Sequence, residues 1–330
     1  MDNSAIRGAS INLLVTGGLG FIGSNFIRYM AQEYPACQIT NLDKITYAGN
    51  PANLTDVAKN PRYSFVRGDI CDPALVDSVF KQYAIDTVVH FAAESHVDRS
   101  IHDSSAFVRT NVLGTQTLLD ASLRHGCSRF IHISTDEVYG STATGSFTET
   151  DPLNPSSPYS ASKAASDLLA RAFFITHGLP VIVTRCTNNF GPYQYPEKLI
   201  PFFVTRLLQK QNVPVYGTGK NIRDWIYVLD HCRAIDFVLR NGTNGEIYNI
   251  GSGNEKTNME ITYQLLEILK RDTSAIEYVQ DRAGHDWRYS LDSSKLRAMG
   301  WAPQTRFETA LEETVRWYVQ HERWWKPLLR

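Results

Sequence analysis

The chain has 330 residues, 43% hydrophobic and 20% charged, enough for a large core in one domain or two unequal ones. Its 33 basic and 34 acidic side chains leave a net charge of −1, so no overall field favours nucleic acid or an anionic membrane, and an anionic ligand must be held by local cations. No apolar run approaches a membrane span, no secretory signal is evident, and Cys37, Cys71, Cys127, Cys186 and Cys232 are scattered without a CxxC pair; reduced thiols in a cytoplasmic protein are the simplest reading.

Strand-length apolar runs recur through the first half: Ile11–Thr16, Gln38–Asp43, Tyr63–Arg67, Thr87–Ala92, Arg129–Ser134 and Pro180–Arg185. Helical spacing separates them at Gly23–Tyr34, Ala74–Gln82, Ser104–His125 and Ser157–His177. Strands alternating with helices in this way predict parallel βαβ units, hence an α/β doubly wound sheet. The Pro- and Gly-rich stretch 191–201 interrupts the pattern. After it come a helix near Phe202–Gln211, a Gly217-Thr218-Gly219 turn, a helix near Asp230–Arg240 and a further strand of the large sheet at Glu246–Ile250. The remainder reads as a smaller, discontinuous α/β lobe, with Trp317, Trp324 and Trp325 as packing anchors.

Gly17-Gly18-Leu19-Gly20-Phe21-Ile22-Gly23 joins the first strand to the first helix. Glycines there allow a tight turn and let a pyrophosphate approach the helix N-terminus. Asp43 lies at the end of the second strand, 20 residues after Gly23, where an acid receives the ribose hydroxyls of a dinucleotide and repels a 2′-phosphate. The pattern predicts NAD rather than NADP, with Lys44 the one neighbour that would tolerate a phosphate.

Ser134-Thr135-Asp136-Glu137-Val138-Tyr139-Gly140 follows the apolar run 130–133. Two adjacent acids at the carboxyl end of a parallel strand stand where doubly wound proteins bind ligands. Tyr159 and Lys163, one helical turn apart, supply another acid–base pair, since a nearby ammonium favours the phenolate. A simple dehydrogenase needs one proton-transfer group, so the two extra acids imply chemistry beyond hydride transfer. His96, His231 and His285 show no metal-ligand spacing, so no metal is expected.

Longer blocks strengthen the pattern: Asp43-Lys44-Ile45-Thr46-Tyr47-Ala48-Gly49-Asn50, the segment from Ala92 to Ser100, STDEVYG at 134–140, Arg185 to Gln194, Arg223 to Val228, and Asp281 to Asp286. With them the chain resembles, over nearly its whole length, the extended short-chain dehydrogenase/reductase superfamily. Within that superfamily it is most similar to nucleotide-sugar 4,6-dehydratases, particularly the dTDP-glucose 4,6-dehydratase family. Asp136-Glu137 is the discriminating element, because relatives that only epimerise, or oxidise and decarboxylate, a sugar do not need that pair.

The resemblance implies a Rossmann-type NAD-binding domain over 1–187, joined by about 222–250, and a nucleotide-sugar-binding domain within 188–330, mainly 188–221 and 251–330. It implies tightly held NAD⁺, regenerated each turnover, bound by Gly17, Gly20, Phe21, Ile22, Gly23, Asp43, Lys44, Thr46, Asp69, Ile70, Ala92, Ala93, Ser95, Thr110, Tyr159, Lys163 and Asn188. Tyr159, helped by Lys163 and Thr135, would take the 4-hydroxyl proton; Glu137 would be the C5 base and Asp136 the acid at the 6-hydroxyl. Adjacency alone does not say which acid does which. The nucleoside-diphosphate hexose, dTDP-glucose, would meet Ser95, Thr135, Asn189, Lys198, Leu199, Ile200, Pro214, Tyr216, Arg223, Asn258, Arg282, His285 and Tyr289. Arg223 is the main diphosphate candidate, its rival role being an ion pair with Asp224. UDP-glucose stays open as substrate, because one methyl group on the base is worth only about 1–3 kcal/mol. A non-catalytic NAD-binding module would be expected to lack one of Asp136, Glu137, Tyr159 and Lys163, and all four are present. The segments 104–125 and 157–177 match the faces through which the family forms a homodimer.

Overall fold

A computed structural model describes residues 11–281 and 286–329. Its strands are β1 (Asn12–Thr16), β2 (Gln38–Asp43), β3 (Tyr63–Arg67), β4 (Thr87–His90), β5 (Arg129–Thr135), β6 (Val181–Cys186), β7 (Asn188–Phe190), β8 (Val213–Tyr216), β9 (Ile222–Tyr227), β10 (Ile247–Ile250), β11 (Glu255–Thr257) and β12 (Ile276–Val279). Seven form the main sheet in the order β10-β6-β5-β4-β1-β2-β3, and every neighbouring pair is parallel. The chain winds outward from β1 in one direction and from β4 in the other, which is the doubly wound α/β arrangement expected. Leu13, Leu14 and Val15 show why the strands read as continuous apolar runs. All three are fully buried, with Leu13 and Val15 in one apolar cluster and Leu14 in the other. Side chains alternate across a strand, and helices cover both faces.

The helix that carries Tyr159 starts with its own signals. Ser157 and Ser160 form a capping box, Pro158 occupies the first turn, and Gly178 ends the helix at φ +71°, giving Pro158–His177. The helix expected over 104–125 is divided instead. A short turn at Ser105–Phe107 leads into π-helix at Val108–Gly114, and α-helix resumes at Thr115–Arg124. In the π segment Asn111 exchanges hydrogen bonds with the Glu94 backbone (2.8 and 3.0 Å) and donates to Ser162 Oγ at 2.8 Å. Those bonds tie the widened turn to the loop after β4 and to the Tyr159 helix.

The smaller lobe holds a three-stranded sheet, β11-β9-β7, and the parallel pair β8–β12. β9 therefore differs from the expected return to the large sheet near residue 222. The return starts with the Val228–Asn241 helix, which Tyr29 and Tyr34 hold against the first helix by donating to Asp236 Oδ2 at 2.8 and 2.9 Å. Trp225, Ile226 and Tyr227 of β9 are buried, and its ladder partners are β7 and β11. A stretch near Phe147 also joins the smaller lobe, exchanging backbone hydrogen bonds with Ser290 and Asp292. One apolar cluster runs from Leu13 and Val15 to Trp225, Phe307 and Trp325. Trp325 is fully buried with its indole N–H on Tyr318 O (2.8 Å), and Trp324 donates to Asn53 Oδ1 (2.8 Å). Among the described residues no helix is long and apolar enough to cross a membrane.

Candidate active site

A cavity of roughly 330 Å³ opens along the carboxyl ends of β1, β2, β4, β5 and β6. Gly17 turns the chain out of β1 at φ +70°, and a Cβ there would stand 2.6 Å from Ala92 N. A Cβ on Gly23 would meet Gly17 O at 2.5 Å. Gly20 caps the Phe21–Glu33 helix without any side-chain acceptor, leaving first-turn N–H groups to meet an anion. Asp43 accepts from Leu19 N (2.9 Å) and Ile45 N (2.8 Å). Burial raises its carboxyl pKa, and those two bonds oppose the rise. Lys44 pairs with Asp69 at 2.7 Å, so its charge is already balanced beside Asp43. Every residue expected at the cofactor lines this cavity: Gly17, Gly20, Phe21, Ile22, Gly23, Asp43, Lys44, Thr46, Asp69, Ile70, Ala92, Ala93, Ser95, Thr110, Tyr159, Lys163 and Asn188.

Thr135 ends β5 and caps the short 3-10 turn Asp136–Tyr139, accepting from Glu137 N at 3.3 Å and donating to Asp136 Oδ1 at 3.1 Å. Asp136 is 4% exposed. Burial and then the Glu137 charge push its carboxyl well above the usual range, against Thr135 and the Arg223 charge. Its surroundings thus favour the protonated form, and Glu137 beside it lines both this cavity and the larger one described below. A folded-state pKa above the unfolded value costs stability at neutral pH, and the cost vanishes below the unfolded value. Asp136→Asn is accordingly expected to raise the melting temperature at pH 7 and hardly at all near pH 3, as read by thermal melts at both pH values.

Tyr159 is buried and hydrogen-bonded to Thr135. Its environment differs from the expected one. Burial and the nearby Glu137, Cys186 and Asp136 raise its pKa well above the ordinary phenol value. Lys163 spends a donor on Ile133 O at 2.7 Å, and burial lowers its own pKa to about 8. The phenol thus feels the acids of the neighbouring turn more than the ammonium one helical turn away.

A second cavity, about 940 Å³, adjoins the first; Glu137, Asn188, Tyr195, Glu197 and Lys198 line both. Leu199, Pro214, Tyr216, Arg223, Asn258 and Tyr289 line it, while Ser95 and Thr135 lie on the cofactor side. Ile200 departs from expectation: it is 1% exposed and packs in the core, one residue round the helix from Leu199. Asn189 departs too. Its amide donates to Thr187 O (3.0 Å), its Oδ1 faces His231 Nδ1 (2.8 Å), and it borders only the cofactor cavity. Arg282 and His285 lie outside the described residues. Arg223 does not pair with Asp224. Its guanidinium donates to the carbonyls of Ile222, Trp287 and Asp286 and sits 4.4 Å from the Tyr289 ring centre. Asp224 instead accepts from the backbone N–H groups of Ser252, Gly253 and Asn254.

The chain matches the family model described as GDP-mannose 4,6 dehydratase over residues 14–314. It is 54% identical over 323 residues to a dTDP-glucose 4,6-dehydratase of Streptomyces niveus, covering 96% of each chain. A dTDP-glucose 4,6-dehydratase of an Actinoplanes species is also 54% identical, with 96% of this chain and 100% of that one covered. The chain belongs to the dTDP-glucose 4,6-dehydratase family. Among solved structures of that family, DesIV of Streptomyces venezuelae, crystallised with NAD bound, superposes with a TM-score of 0.93 at 55% identity, covering 96% of this chain and 99% of that one.

The dehydratase cleft also includes Ser134, Thr187 and Glu197, which were not among the expected site residues. Ser134 Oγ, Asp136 Oδ2, Thr187 Oγ1 and Asn188 Oδ1 are buried polar atoms without a hydrogen-bond partner among the described residues, and all four residues line the cofactor cavity. Orphaned groups of this kind, with the glycine turn and Asp43, fit a polar dinucleotide. The Ser-Thr and Asn-Asn runs carried the available signal for these atoms. Glu197 accepts from Tyr47 Oη at 2.9 Å and lies 3.5 Å from His96 Nε2, closing one wall between the cavities. No local pattern marks that contact, which spans 150 residues. Among the described residues no group of three or more His, Cys, Asp or Glu is placed to hold a metal ion.

Proposed function

We propose that this chain removes water from dTDP-glucose to give dTDP-4-keto-6-deoxyglucose, as an NAD-dependent hydro-lyase. One observation carries the reading: a buried Asp136, whose surroundings favour its protonated form, stands beside Glu137 and Tyr159 where the cofactor cavity meets the larger one. Gly17, Gly20 and Gly23 receive the dinucleotide's pyrophosphate, and Asp43 receives its ribose. Bound NAD⁺ supplies the hydride acceptor for C4 and, once reduced, the hydride donor for C6.

Tyr159, as the phenolate and hydrogen-bonded to Thr135, takes the proton of the 4-hydroxyl, its surroundings favouring the protonated phenol that results. The 4-ketone so formed acidifies the adjacent C5–H, which Glu137 removes. Asp136 gives its proton to the 6-hydroxyl, which leaves as water. Glu137 then returns a proton to C5. Two neighbouring carboxyls can divide the work this way when their surroundings push their pKa values apart. Incubation of the purified protein with dTDP-glucose tests the reading by mass spectrometry: the product should lack one water, and unchanged sugar would refute it.

The diphosphate needs a fixed cation in so nearly neutral a chain, and Arg223 supplies it, oriented by three carbonyls and the Tyr289 ring. Arg223→Met is expected to raise KM for dTDP-glucose about ten- to a hundred-fold with a smaller effect on kcat, as read from initial rates. Two copies of the chain pair through the faces that expose Ile101, Val108, Leu113, Leu168 and Ile175, each at least 43% accessible. Sedimentation at micromolar concentration tests this; a monomer would refute it. Five free cysteines, four of them buried, support a reducing, cytoplasmic setting.

A further inference from the structure

Tyr159, Lys163 and Asp167 follow at four-residue intervals along the Pro158–His177 helix, so they share a face. Tyr159 is the proposed base and Lys163 lines the cofactor cavity beside it; Asp167 has no part in the reaction as proposed. Asp167 is 2% exposed, and its Oδ2 accepts from Arg185 Nε on β6 at 2.9 Å. His132 Nε2 on β5 lies 3.3 Å from its Oδ1. Arg185 Nη1 donates to Tyr139 Oη at 2.7 Å, and Tyr139 Oη donates to Asn249 Oδ1 at 2.9 Å. Tyr139 is the last residue of the turn that carries Asp136 and Glu137. A buried ion pair is seldom a net source of stability, since apolar side chains of similar volume often serve as well. One that ties two parts of a reaction site together has another use.

We propose that Asp167 and Arg185 are positioning residues, whose buried ion pair couples the Tyr159–Lys163 helix face to the Asp136–Tyr139 turn. The oxidation and elimination groups then keep one fixed relation through both stages. This inference rests on the dehydratase reading above.

The electrostatics agree with the geometry. Burial works to raise Asp167, but the close approach of His132 and the charges of Arg185 and Lys163 overcome it and hold the carboxyl below its usual range. Asp167 is in turn the main group opposing the loss of charge that burial imposes on Lys163, ahead of Cys186. His90 on β4, His132 on β5 and Cys186 on β6 also interact with Lys163, and the elements packed against its helix carry Arg185 on β6 and Asp136 and Glu137 on the turn. The π segment contributes the neutral Asn111.

The test compares Asp167→Asn and Tyr139→Phe with the wild-type enzyme on dTDP-glucose. Asp167→Asn should move the alkaline limb of the kcat profile about one pH unit lower, because Lys163 loses the anion that most opposes its loss of charge. Tyr139→Phe should leave that limb in place. In single turnover it should slow C5 deuterium exchange about tenfold relative to NADH formation, since the acid turn has lost its tether. A purely structural pair would lower melting temperature yet leave the limb and the ratio of the two steps as in wild type, and that result overturns the proposal. Should Asp167→Asn fail to fold with Arg185 left uncompensated, the Tyr139→Phe ratio decides alone. Wild-type protein inactive on dTDP-glucose would overturn the dehydratase reading itself; active wild type with unmoved variants overturns only the positioning role.

Discussion

Glu137→Gln is expected to stop the reaction after its first half. The variant should retain NAD and bind the sugar nucleotide, and kcat should fall about a hundred- to ten-thousand-fold, the range for loss of a placed general base. Deuterium exchange at C5 should disappear. A second signature follows from the electrostatics. The Glu137 charge is among the causes that raise Asp136, Tyr159 and Tyr289, so its removal relaxes Tyr159 toward deprotonation. Oxidation at C4 should therefore proceed, and NADH absorbance should rise and persist instead of returning to baseline. The reading is a stopped-flow trace at the NADH band with proton NMR of the quenched sugar. Normal turnover, or C5 exchange at the wild-type rate, would remove Glu137 from the role of base.

Tyr159→Phe should fail one step earlier. The ring keeps its place in the pocket, but no oxygen remains to take the 4-hydroxyl proton, so NADH should not form and C5 should not exchange. A loss of about a hundred- to ten-thousand-fold in the first oxidation is expected. NAD content should stay near that of wild type, because the glycine turn and Asp43, the proposed cofactor contacts, are untouched. The two variants thus part on a single observable: reduced cofactor accumulates without Glu137 and never appears without Tyr159. Fast NADH formation in Tyr159→Phe would contradict its assignment.

The main sheet was legible because parallel strands covered on both faces are unbroken apolar runs, and Leu13-Leu14-Val15 has that form. The cofactor cleft was legible for a related reason. A glycine turn between strand and helix, with an acid 20 residues on, has few other uses. Tertiary pairing was less accessible. β9 has the composition of a main-sheet strand, and only its ladder partners β7 and β11 place it in the smaller lobe. The π segment at Val108–Gly114 adds no break to the helical spacing of Ser104–His125, since its cause is Asn111 bonding to Glu94 and Ser162 from distant parts of the chain. The same limit explains Lys163. Spacing placed it on the Tyr159 face, but not its donation to Ile133 O, nor the burial that raises the phenol instead of lowering it. Neighbouring side chains that face opposite ways, as Leu199 and Ile200 do, are separated by helix phase alone.

The most direct measurement is incubation of the purified protein with dTDP-glucose in D₂O, with no cofactor added, followed by mass spectrometry and proton NMR. A 4-keto-6-deoxy product that lacks one water and carries deuterium at C5 is the predicted result; it requires retained NAD and a base working at C5. Unchanged dTDP-glucose, with or without added NAD⁺, or a product whose C5 hydrogen came intact from the substrate, would contradict the dehydratase chemistry assigned to Asp136, Glu137 and Tyr159.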